Sequence, residues 1–270
     1  MPELPEVETS RRGIEPHIVD ATVSRVVIRE RRLRWPVTRD VDRNLTGATI
    51  TSVGRRAKYL LINTTAGTAI LHLGMSGSVS ILDHGTPAGV HDHVDIEFAS
   101  GLMLRFRDPR RFGSLHWSKA PLSHRLLRTL GPEPLGDEFD GDYLWQTSRG
   151  RTVSIKQFIM NAHVVVGVGN IYASESLFLA GINPRRAAGR IALQRYATLA
   201  ESIRSVLTKA IKAGGTTLRD FYGSDGEAGY FKHELQVYDR EDAPCYRCKT
   251  PLTAIVQGQR STYYCKQCQT

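Results

Sequence analysis

Two cysteine pairs close this 270-residue chain, Cys245 with Cys248 in CYRC and Cys265 with Cys268 in CKQC, and they are its only four cysteines. Two residues separate the members of each pair, and sixteen separate the pairs. A reducing compartment disfavours two disulfides. The spacing instead predicts a tetrahedral zinc site, each pair forming a knuckle that presents two thiolates to one metal. Four protein ligands close the coordination sphere, so the expected cofactor is one structural Zn2+ that activates no water. The intervening KTPLTAIVQGQRSTYY alternates around a GQR turn and reads as a β-hairpin with Arg260 at its tip. So short a piece depends on the metal to fold.

Upstream, the period of the apolar pattern changes once. Residues 6–18 predict a short helix. Stretches rich in β-branched residues follow, among them ATVSRVVI, KYLLINTTAGTAILHLG and HVDIEFASGLMLRFRD. The last contains an antiparallel hairpin turning at ASG. Successive strands without intervening helices predict a β-sandwich or barrel over about residues 1–130. The Pro-, Gly- and Asp-rich GPEPLGDEFDGD marks a boundary. Beyond it TVSIKQFIMNA, GNIYASESLFLAGI and RIALQRYATLAESIRSVLTKAIKAG carry apolar residues at helical spacing, the last stopping at Gly214 and Gly215. The expected class is α+β multidomain: 1–131 a sandwich with a short N-terminal helix, 132–234 helical, 235–270 the zinc hairpin.

Charge narrows the partner. The formal net charge is +9, and the isoelectric point of about 9.6 favours a polyanion, nucleic acid before a membrane surface. No lysine-rich amphipathic helix supports the membrane alternative. No run of 18 apolar residues offers a membrane span, and the first residues lack the hydrophobic stretch of a secretory signal, so the expected location is cytoplasmic.

Three further motifs carry chemistry. GVGNIYASE lacks the third glycine of a dinucleotide loop and has no βαβ surroundings, which leaves a glycine turn that opens a helix near Asn170, where free N–H groups favour phosphate. RFRDPRRFG places Arg105, Arg107, Arg110 and Arg111 around Phe112: guanidinium groups for phosphates and base edges, a ring to stack in a duplex gap. In HDH, His91 and His93 share one strand face beside Asp92 but gain no further ligand, so no metal is expected there. At the start, MPELPEVETSRRG is acidic in a basic chain and sets a proline behind Met1.

MPELPEVET, LGMSG, HDHVD, DPRRFG, GVGNIYASE and the CxxC…GQRSTYYCxxC ending together resemble the formamidopyrimidine-DNA glycosylase (Fpg) family, in order and over essentially the whole chain. The resemblance implies an N-terminal β-sandwich, a helix-two-turn-helix domain and a C-terminal zinc finger. It implies that Pro2, exposed on removal of Met1, is the nucleophile. A terminal amine has an ordinary pKa of about 7.7–8.0 and is partly neutral near pH 7, where lysine, near 10.4, is protonated. By the same resemblance Glu3 is the general acid/base, Lys58 lies near the reacting sugar and its phosphate, and Arg260 grips phosphates flanking the lesion.

Met75, Arg110 and Phe112 match the family residues that fill the gap left by a flipped nucleotide, with Arg111 beside them at the DNA. His72, His91, Arg151 and Asn170 match phosphate contacts. Glu6 and the segment around 222–230, with Tyr222, Gly223 and Ser224, match the lesion pocket and its loop. One departure stands out: Asn161 and Ala162 replace an acidic residue usual shortly before VVGVGN. The implied function is excision of oxidised purines such as 8-oxoguanine from duplex DNA, then strand cleavage by β- and δ-elimination, by a monomer. The rivals are an endonuclease VIII-type enzyme acting on oxidised pyrimidines and a zinc-ribbon DNA binder without catalysis.

Overall fold

In the computed structural model, residues 2–215 and 234–270 are described; Tyr222, Gly223 and Ser224 of the expected lesion loop lie outside them. The chain forms two compact units. Described residues 2–128 and 213–215 belong to one unit, 129–212 and 234–270 to the other.

The first unit opens with helix α1 (Leu4–Ile18), which starts two residues earlier than the periodicity predicts because Pro5 suits the first turn and Glu3 with Glu6 forms a capping box. The expected strands follow, but burial does not alternate along HVDIEF: every residue of Asp92–Phe98 except Glu97 is buried. β1 (Val23–Ile28), β5 (Ser78–Asp83), β6 (Asp92–Phe98) and β7 (Leu102–Arg107) make one antiparallel sheet in the order β1-β6-β7-β5. β2 (Ile50–Arg56), β3 (Tyr59–Thr64), β4 (Gly67–His72) and β8 (Ser114–Ser118) make the other, ordered β2-β3-β4-β8. Apolar side chains from both sheets, including Val53, Leu60, Ile62, Leu71, Val94, Ile96, Leu104 and Phe106, meet in one core that Val7, Ile14 and Ile18 of α1 join. Each such burial contributes about 1.5–3 kcal/mol. The sandwich is therefore tied to the helix that follows Pro2. A five-residue helix, α2 (Val41–Leu45), was not legible in the pattern.

The second unit is helical with a terminal hairpin. α3 (Gly141–Ser148) begins inside the run that composition marks as a boundary. The reason is local: Asp140 of that run caps the helix, accepting from Tyr143 N at 2.7 Å. α4 (Ile155–Ile159) is capped by Ser154. A turn lined by buried Val164, Val165, Val166 and Val168, with Gly167 at φ +80°, leads into α5 (Asn170–Leu179). α6 (Leu193–Lys212) buries Tyr196, Leu199, Ile203 and Leu207. The hairpin of β9 (Thr253–Gln257) and β10 (Arg260–Tyr264) turns through Gly258 and Gln259, both at positive φ, the two-residue geometry that matches strand twist. Its core is borrowed: Phe178 of α5 packs with Val237, Leu252 and the buried Cys245 and Cys265.

Candidate active site and nucleic-acid interface

Pro2 is buried against the start of α1. Glu3 and Glu6 follow at 3% exposure each, and the Glu3 N–H donates to Glu6 Oε2 at 2.8 Å, which fixes the peptide next to Pro2. Glu6, expected in the lesion pocket, thus also builds the helix start. On the next turn Glu8 pairs with Arg11, Arg12 and Arg55. Burial pushes the Glu8 carboxyl up, but bonds from Arg11 and Arg12 and the charges of Arg11 and Arg55 outweigh it and hold it below the usual range. Arg55 also donates to the Ala57 carbonyl at 2.9 Å. Ala57, at φ +55°, and Lys58 form the tight turn between β2 and β3, so Lys58 sits on a turn and not on a strand face. Proline helix and lysine turn are held together by one arginine.

His72 ends β4. Burial, with the charges of Lys58 and Arg34, lowers its imidazole to about 4, so the ring is neutral at physiological pH. Its Nδ1 accepts from Gly74 N at 2.9 Å, which leaves the proton on Nε2. Without DNA the ring therefore offers its Nε2–H as a neutral donor.

Met75 lies on the loop between β4 and β5, and Arg110, Arg111 and Phe112 lie on the loop between β7 and β8. Phe112 is 37% exposed, with the Arg110 guanidinium carbon 4.9 Å from its ring centroid. Arg111 is left-handed at φ +55°, a conformation that costs a residue with a Cβ roughly 1–2 kcal/mol. The loops touch directly: a Cβ on Gly74 would come within 2.4 Å of Gly113 N. His91 and Arg111 line a groove of about 420 Å³ with Arg29, Asp92 and His93. His93 is taken up otherwise, its Nε2 donating to the Asp108 carbonyl at 2.8 Å. Arg105 is buried in pairs with Asp92 and Asp95, and Arg107, exposed at the end of β7, lies 3.6 Å from Asp92, so of the four arginines in RFRDPRRFG only Arg110 and Arg111 are on the loop.

In the second unit, Arg260 begins β10 and is exposed. Behind it Lys156, 1% exposed, donates to the Ser261 carbonyl and to Thr262 Oγ1, each at 2.9 Å. Sequence reasoning missed this lysine, whose only local signal is a charge inside an apolar helix. Asn170 is the first residue of α5 but does not cap it; Gly169 holds that position. Its Nδ2 donates to the Ser261 carbonyl at 3.0 Å, which ties the glycine turn to the zinc hairpin. Glu175 on the same helix accepts from the backbone N–H groups of Gln236, Val237 and Tyr238. Burial raises its carboxyl, and those three bonds resist the rise. Arg151, an expected phosphate contact, is exposed just after α3.

The Sγ atoms of Cys245, Cys248, Cys265 and Cys268 lie within 4.8 Å of one another, with Cys248 and Cys265 at 3.4 Å and Cys245 and Cys268 at 4.0 Å. Four sulfurs each about 2.3 Å from one zinc form a tetrahedron with edges of about 3.8 Å. The donor set fits, and it is the one such cluster among the described residues.

Three family models cover the chain. The formamidopyrimidine-DNA glycosylase N-terminal domain matches residues 1–115, the formamidopyrimidine-DNA glycosylase H2TH domain residues 130–222, and the zinc finger found in FPG and IleRS residues 243–270. Sandwich, helical turn and four-cysteine hairpin thus define a zinc-bearing DNA-repair glycosylase. Formamidopyrimidine-DNA glycosylase of Pseudomonas entomophila is 60% identical over 269 residues, covering 100% of both chains. The chain belongs to the formamidopyrimidine-DNA glycosylase family and is a DNA glycosylase of base-excision repair with one structural zinc. Among solved structures, the Lactococcus lactis Fpg mutant G226P with Fapy-dG DNA matches at a TM-score of 0.92 and 34% identity, over 99% of each chain. The Fpg protein of Thermus thermophilus matches at 0.89 and 34%, over 99% of this chain and 98% of that one. No described helix is long and apolar enough to cross a membrane.

Proposed function

We propose that the protein removes oxidised purines, 8-oxoguanine and formamidopyrimidines, from duplex DNA and then cuts the strand, working as a monomer through Pro2. In this reading residues 1–131 carry the chemistry, 132–234 grip the duplex and 235–270 present Arg260. With Met1 removed, the neutral imino nitrogen of Pro2 attacks C1′ of the damaged nucleotide. The glycosidic bond breaks, and the base leaves with a proton relayed by Glu3 as the sugar ring opens. The nitrogen, now an iminium, draws electrons from the C2′–H bond. Loss of that proton expels the 3′ phosphate, a second elimination expels the 5′ phosphate, and water releases Pro2. Lys58 and Arg260 hold phosphates, Arg260 as an anchor before any proton transfer, because a guanidinium stays charged. Met75, Arg110 and Phe112 fill the gap left by the flipped nucleotide, whose extrusion costs roughly a few kcal/mol.

The observation that carries the reading is the buried Pro2–Glu3 start of α1, with its capping box and the Lys58 turn clamped to the same helix by Arg55. The solved relatives bound to Fapy-dG and to abasic-site DNA support the substrate class. Borohydride trapping on abasic DNA tests it. The wild-type chain forms a covalent adduct at Pro2, and Pro2→Gly loses adduct and cutting while keeping DNA affinity. Full cutting by Pro2→Gly overturns the mechanism, and faster turnover of thymine glycol than of 8-oxoguanine opposite cytosine overturns the substrate class.

A further inference from the structure

The aspartate of DPRRFG has no part in the chemistry above, yet its side chain is fully buried. Asp108 Oδ1 accepts from Ser76 Oγ at 3.1 Å and from Arg110 N at 3.3 Å, and Oδ2 accepts from Gly113 N at 2.7 Å. Its backbone is held as firmly. The N–H donates to the His91 carbonyl at 2.9 Å, and the carbonyl accepts from His93 Nε2 at 2.8 Å. One carboxylate therefore bonds the loop that bears Met75, through the neighbouring Ser76, and both ends of the segment that bears Arg110 and Phe112. At Gly74 the loops meet backbone to backbone, since a Cβ there would lie 2.5 Å from the Phe112 carbonyl carbon. Within the second loop Arg111 is left-handed, a conformation that persists only where its surroundings over-determine it.

We propose that Asp108 is a positioning residue that makes Met75, Arg110 and Phe112 one preformed wedge, and so governs extrusion of the damaged base and not the reaction at the sugar. The inference rests on the reading that these three side chains fill the duplex gap. Side chains on two independent loops would each have to be ordered as the duplex opens. A buried carboxylate accepting two N–H groups and a hydroxyl removes that requirement before DNA arrives.

The test uses the full-length, zinc-loaded protein and two substrates. One is 8-oxoguanine opposite cytosine in a duplex, where a base must be extruded. The other is a preformed abasic site in a single strand, which has no base to extrude and no partner strand to part. Under single turnover, Asp108→Ala slows base excision about 10- to 100-fold, the scale of a misplaced catalytic or positioning group. Its cutting of the single-stranded abasic site stays within about threefold of wild type. Ser76→Ala, which frees only the Met75 loop, loses less. Asp108→Asn recovers part of the excision rate, because its amide oxygen still accepts from Gly113 N. Equal losses on both substrates in Asp108→Ala and Ser76→Ala would assign the residue to folding alone, and unchanged excision in both would also overturn the proposal. If the wild-type protein acts on neither substrate, it is the proposed function that fails.

Discussion

The Nε of Arg55 lies 3.1 Å from Glu8 Oε2, and both side chains are only 12% exposed. With Nη1 on the Ala57 carbonyl, this arginine spans the helix that begins behind Pro2 and the turn that carries Lys58. Arg55→Ala leaves Glu8 with Arg11 and Arg12, so the loss of stability is about 1–2 kcal/mol, below the 3–5 typical of breaking a fully buried pair. Strand cutting at abasic DNA falls further than the loss of folded protein explains. Urea midpoints and cutting rates on the same preparation check this. A variant as stable and active as wild type would mean that the clamp does nothing.

His72 sets a pH dependence. The unfolded imidazole titrates at the ordinary value near 6.5 and the folded one at about 4. Between these the unfolded chain binds more protons, so this contribution to stability is complete above about pH 6.5 and is lost as the pH falls through 4. At full titration the loss is bounded by roughly 3 kcal/mol. Glu8 and Asp95, both held below the ordinary carboxylate value, add their own loss only below about pH 4.5. His116, which burial also lowers to about 4, and His124, lowered too, add to the same slope. Urea midpoints between pH 7.5 and 5 show it, and His72→Gln reduces it without abolishing it.

Chelating the zinc under reducing conditions separates the hairpin from the sandwich. The four cysteines form the hairpin's interior together with Phe178, Val237, Leu252 and Tyr263 only, so its fold is lost with the metal. The sandwich, with an apolar core of its own, keeps its thermal transition. Zinc release, a lost melting step for the hairpin and weakened DNA binding accompany one another. Retention of DNA affinity by the metal-free protein would contradict the dependence.

Gly74→Ala strains the backbone at φ +73° and drives a Cβ into Gly113 N. Neither partner is a flexible side chain, so the cost is about 2–4 kcal/mol, combining a left-handed penalty with overpacking. Thermal denaturation measures it. A melting temperature equal to that of wild type would mean that the two loops part freely.

How much of this was readable in one dimension depends on the distance between partners. The cysteine pairs, the β-branched strands and the capped α1 are local patterns, each complete within a few residues, so the hairpin, the sandwich and the zinc ligands could be read directly. α3 was hidden because Asp140, its cap, lies in a run whose composition also describes a linker. Asp108 stood inside a motif noticed for its arginines and phenylalanine, but its hydroxyl partner is 32 residues away.

Sequence alone determined what binds metal and where the period changes, because those depend on spacing along the chain. Tertiary structure decided that Lys156 faces Thr262, 106 residues on, that Arg55 joins Glu8 to the lysine turn, and that one carboxylate binds two loops. Buried polar groups must find partners wherever packing brings them, and nothing in a side chain's immediate neighbours records which distant group folding will place against it.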